Sequence, residues 1–163
     1  MGYQAAQKIY KAFRLRVRLV IETKIKRDTE MILDTINLPK KIKVDLLDSI
    51  VNHANEHLDL SDLDELVIRF KAQNESCGYF DGFDDDSCAG IEVNTKNSID
   101  EIITTIFHEL VHVQQVLHGI FDDFEKTWNG VAYGHLEYND RPWEIDAFAK
   151  EKELFNSWKS TVT

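Results

Sequence analysis

Apolar residues recur at helical spacing in several stretches of the chain, and the clearest is 99–118. There Ile103, Ile106, Leu110, Val113 and Leu117 fall three or four apart, which places them on one face of a 3.6-residue helix. Ser98 and Glu101 occupy the N-cap and N3 positions of a capping box, and Gly119 supplies a C-terminal stop. Residues 41–58 repeat the pattern with Ile42, Leu46, Leu47, Ile50, Val51 and Ala54 in phase. Residues 29–37 read as a helix ended before Pro39. Residues 120–128 read as another, with Phe121, Phe124 and Trp128 turned inward. A last helix over 143–158 is opened by Pro142, which suits a first helical turn. Short apolar runs predict strands at 66–70, 77–83 and 90–94. Between the last two, Asp84-Asp85-Asp86-Ser87 is a solvated turn that misses the EF-hand pattern, and 130–139 is a tyrosine-rich loop. Near the start, 3–13 reads as a short helix. Phe13, Leu15, Val17, Leu19 and Ile21 then alternate with arginines, as a strand or a long basic helix would.

Nothing along the chain marks a domain boundary, a repeat or low complexity, so its 163 residues suggest one domain. No apolar run is long enough to span a bilayer, and Met1 to Ala6 lacks a secretory apolar region, so a cytoplasmic location is expected. Cys77 and Cys88 read as reduced thiols flanking a loop. The net charge of −10 is unevenly spread: residues 1–43 hold 11 Lys/Arg against 4 Asp/Glu, and the rest is strongly acidic. A basic segment can bind nucleic acid, but the strongly acidic remainder argues against such a partner.

The chemistry centres on His108-Glu109-Leu110-Val111-His112. Histidines four apart on a helix share a face, so both imidazoles can hold one zinc while the intervening glutamate serves an activated water as general base. The apolar stripe lies opposite the pair, which leaves the histidines facing a cleft. A catalytic zinc needs a third protein ligand. Glu144, in the first turn of the last helix, is the leading candidate, ahead of His118, His135 and Asp146. His118 is six residues past His112, which on an unbroken helix turns it away. A rival motif, His53-Ala54-Asn55-Glu56-His57, has the inverted zinc order but sits at a helix end before an acidic run, and reads as a solvated terminus.

Taken together, His108-Glu-Leu-Val-His112-Val-Gln-Gln115, His118-Gly119 and Pro142-Trp-Glu144-Ile-Asp-Ala147 resemble the small gluzincin-type metallopeptidase domains over roughly residues 90–153. The resemblance implies His108, His112 and Glu144 as zinc ligands and Glu109 as general base. Asp146 stands where the family often has Glu, and the Asp that larger gluzincins carry after the third ligand is missing. The fold expected is α+β and zincin-like: a small, mostly antiparallel sheet packed on the histidine helix, with a C-terminal helix supplying Glu144. Residues 1–65 would form a helical, basic N-terminal portion and 66–163 the metallopeptidase core. The expected activity is zinc-dependent hydrolysis of a peptide or protein substrate, with Tyr133, His135 or Tyr138 as oxyanion donor. Strand 90–94 would be the edge on which substrate pairs. The alternative is a zincin-fold binding module that no longer cleaves.

Overall fold

The computed structural model describes residues 31–73, 76–85 and 87–162. The helix and the alternating arginine segment expected within 1–30 lie outside them. Residues 32–94 form four strands and one helix: β1 (Ile32–Ile36), α1 (Val44–Leu58), β2 (Glu65–Lys71), β3 (Gly78–Asp85) and β4 (Cys88–Asn94). They form a four-stranded sheet ordered β1-β2-β4-β3. β1, β2 and β4 run parallel, and only β3 is antiparallel to its neighbour. The sheet is therefore mixed and largely parallel, where the sequence suggested a mostly antiparallel one. The helix α1 between β1 and β2 is the reason, because a helical crossover returns the chain to the same end of the sheet.

The helix expected over 29–37 is instead strand β1. Ile32, Leu33 and Ile36 satisfy helical and extended spacing alike, and pairing from Ile32↔Glu65 to Ile36↔Arg69 decides between them. Asn37, at φ 59°, turns the chain out of the strand. β4 lies between β2 and β3 and is buried at all seven positions, so it is not an edge. Among the described residues, the edge beside it belongs to β3.

From β4 the chain enters α2 (Ile99–Leu117), whose Ser98 cap has both hydrogen bonds of the capping box. Gly119, at φ 67°, ends the segment in the left-handed region that favours glycine. The expected stripe is only part of what α2 buries: Ile102, Phe107 and Val111 are fully enclosed as well. A helix apolar on most sides belongs at the centre of a fold. Here it packs against β3, β4, α1 and the last helix, α3 (Pro142–Thr161).

Between α2 and α3 the expected helix at 120–128 gives way to a small three-stranded sheet, β5 (Phe121–Asp122), β6 (Thr127–Trp128) and β7 (Val131–Ala132). The Asp122 carboxylate accepts hydrogen bonds from the backbone N–H of Phe124 and Glu125, which folds the tip of the first hairpin. Phe124 is left 90 % exposed at that tip, while Phe121 stacks on Trp143 with ring centroids 4.5 Å apart. Pro142 opens α3 as expected, and neither Cys77 nor Cys88 is in a disulfide. Among the described residues, no helix is long and apolar enough to cross a membrane.

Candidate metal centre

Two elements build the centre. α2 presents His108 and His112 one turn apart, and the first turn of α3 presents Glu144. The three residues are nearly enclosed, at 7 %, 6 % and 5 % exposure. His108 Nε2 and His112 Nε2 are 3.1 Å apart. Glu144 Oε2 lies 3.3 Å from the first and 3.5 Å from the second. These are the three residues singled out as ligands from the sequence, and one donor atom of each lies within 4.8 Å of the others.

The far side of each ring fixes which nitrogen carries hydrogen. His108 Nδ1 is 2.7 Å from Glu151 Oε2, a carboxylate that only accepts, so Nδ1–H donates to it. Gln115 Nε2 donates to the Trp143 carbonyl and to Asp146 Oδ2, both at 2.9 Å. That orientation turns Gln115 Oε1 toward His112 Nδ1, 2.9 Å away, which must therefore donate. Both Nε2 lone pairs are left pointing at each other and at Glu144 Oε2, which is buried and has no hydrogen-bond partner. Three acceptors this close repel unless a shared proton or a cation lies among them.

The charges argue in the same direction. Burial disfavours a charged His108, but Glu144, Glu151 and Glu109 outweigh it and push its pKa up to about 10. Burial likewise opposes ionisation of Glu144, but the two imidazoles and the Tyr138 hydroxyl hold it down at about 2. The pocket thus demands positive charge, and without a cation a proton on His108 provides it. A divalent cation suits the same demand.

Glu109 is 4 % exposed and its Oε2 is buried without a hydrogen-bond partner. Burial raises its pKa to about 7, against the pull of His112 and His108. The backbone of β3 reaches it at Gly78. A Cβ there would lie 2.6 Å from Thr105 Cγ2 and 3.3 Å from Glu109 Oε1, so only glycine admits this approach. A cleft of about 830 Å³ lies over the centre, bounded by β3 on one side and by Tyr138 and Phe148 on another.

The other candidates fall elsewhere. His118 hydrogen-bonds the Asp59 carbonyl at 2.9 Å, and Asp146 is taken by Gln115 and Lys150. His135 is exposed, and neither it nor Tyr133 lines the cleft, whereas Tyr138 does. Sequence reasoning missed the roles of Glu151 and Gln115. Glu151 is seven residues after Glu144, two turns along the same face of α3, and Gln115 is three after His112; spacing was the available signal. No family model matches the chain, and neither a curated protein nor a solved structure does.

Proposed function

We propose that this protein is a zinc-dependent metallopeptidase of the zincin-like, gluzincin type, in which His108, His112 and Glu144 hold the metal and Glu109 is the general base. The observation that carries the reading is the convergence of two imidazole lone pairs, on rings whose Nδ1–H groups are already bonded, with a buried carboxylate oxygen that has no hydrogen-bond partner. Two imidazoles and one carboxylate, with open space above them, are the donor set of a catalytic zinc, which polarises a carbonyl and lowers the pKa of a water toward about 7.

The chain's own groups supply the rest. Glu109 takes a proton from the attacking water and returns it to the departing amine, so that one water is added across the C–N bond. A carboxylate raised toward neutrality suits both transfers. Tyr138 stays protonated, because burial and the neighbouring Glu144 raise its pKa; its hydroxyl donates to Glu144 here and would turn from that carboxylate to the developing oxyanion. Residues 76–80 line the cleft at β3, the edge strand among the described residues, where an extended peptide can pair through backbone hydrogen bonds. This moves the substrate edge from the expected β4 to β3. Glu109→Gln tests the assignment: it should keep a full zinc complement and lose peptide hydrolysis. A variant that cleaves at the wild-type rate removes Glu109 as base.

A further inference from the structure

A second cluster of ligating groups stands on the last turns of α1. One donor atom each of His53, Glu56 and His57 lies within 4.8 Å of the others, and the two imidazole centroids are 4.2 Å apart. The sequence made this a solvated helix end; the hydrogen bonds behind the rings say more. The Ser157 hydroxyl donates its single hydrogen to the Leu154 carbonyl at 3.1 Å, so its oxygen must accept from His53 Nε2 at 2.7 Å. His57 Nδ1 is 2.8 Å from the His53 carbonyl, which only accepts, so that nitrogen also carries hydrogen. The free lone pairs are therefore on His53 Nδ1 and His57 Nε2. Each ring is fixed in one tautomer by an outer partner, as metal-bound imidazoles are. The helix C-terminus adds a partial negative charge, and Glu56 adds a full one.

We infer that His53, Glu56 and His57 form a second, solvent-open site for a divalent first-row transition ion, with water completing its coordination. Imidazole ligands select zinc, nickel or copper over magnesium or calcium. An ion there would fasten the end of α1, which His53 already ties to α3 through Ser157. His53 also packs edge-on against Phe107 of α2, with ring centroids 6.1 Å apart.

The test is zinc titration of the full chain, stripped of metal, against a chromophoric chelator, with metal analysis of the product. Two classes of site are expected, one tight and one weaker. His57→Ala should abolish the weaker class and keep the tight one, Glu56→Gln should weaken it, and His112→Ala should abolish the tight class alone. Ser157→Ala, which removes only the outer partner of His53, should weaken the second class by roughly 10–100-fold. His135→Ala, an exposed histidine outside both clusters, should change neither. A single class in the wild type that His112→Ala removes overturns the second site, as does a weaker class that survives both His57→Ala and Glu56→Gln. Loss of the tight class alone in the wild type would count against the first centre and leave the second standing.

Discussion

Gln115→Met probes how the centre is held without touching a ligand. Gln115 is fully buried and makes three hydrogen bonds at 2.9 Å, to His112, Trp143 and Asp146. Methionine fills nearly the same volume, so little of the effect comes from a cavity. It strands the Nδ1–H of His112 in a site 6 % exposed, at a cost of about 1–3 kcal/mol, and removes two amide bonds worth about 0.5–1.5 kcal/mol each. The expected loss of stability is about 2–6 kcal/mol. At about 2–4 °C per kcal/mol for a domain of this size, the metal-free melting temperature should fall by roughly 4–24 °C. His112 can relieve its stranded donor by moving the hydrogen to Nε2, which removes a lone pair from the centre, so zinc affinity should fall by roughly 10–100-fold. Gln115→Glu separates the two effects. Its carboxylate still accepts from His112, but it faces Asp146 and the Trp143 carbonyl with no donor, so affinity should recover more than stability does. Thermal unfolding with and without zinc, together with chelator competition, reads both quantities. A methionine variant that binds zinc as tightly as the wild type would refute the idea that Gln115 sets the His112 tautomer.

Other outcomes follow from the same geometry. Gly78→Ala must move β3 against both β4 and α2, because its Cβ would sit 2.5 Å from the Glu92 carbonyl oxygen and 2.6 Å from Thr105 Cγ2; a loss of about 1–3 kcal/mol in stability and a marked drop in hydrolysis are expected, measured by denaturant unfolding and peptide cleavage. Metal uptake should depend on pH with a definite sign. Without metal, His108 holds its proton up to about pH 10, so zinc must displace it, and apparent affinity should rise about tenfold per pH unit between pH 6 and 8. Calorimetry in buffers of different ionisation enthalpy should count about one proton released per zinc at the first centre, and none released at pH 7 would contradict this. The metal-free fold carries the converse dependence. A His108 pKa raised above its unfolded value gives stability that is complete below about pH 6.5 and lost as pH rises through about 10, which pH-dependent unfolding would show.

Local signals were read well and partner-dependent ones poorly. The cap at Ser98, the stop at Gly119, Pro142 and the spacing of His108 and His112 act within a turn or two, and the structure has each where the sequence placed it. β1 was missed because five residues with apolar positions at 32, 33 and 36 suit either a helix or a strand until β2 lies alongside. The 120–128 segment failed in a similar way. Phe121, Phe124 and Trp128 fall at helical intervals, yet Asp122 folds a hairpin tip that puts Phe124 in water. The parallel strand order depends on long-range pairing that no local pattern carries. In the candidate site, residues bearing an obvious donor were legible, and those that orient them were not. Glu151 and Gln115 act by hydrogen-bonding the backs of the two imidazoles across the α2–α3 interface, so their roles need the packing of the two helices.

Metal content of purified protein with and without the third ligand tests the central claim most directly. In a His57→Ala background, which silences the second cluster, zinc-supplemented protein should hold one equivalent after gel filtration, and adding Glu144→Ala should remove most of it with the fold retained by circular dichroism. A full equivalent in the doubly substituted protein, or none in the protein that keeps Glu144, would contradict a centre built from His108, His112 and Glu144.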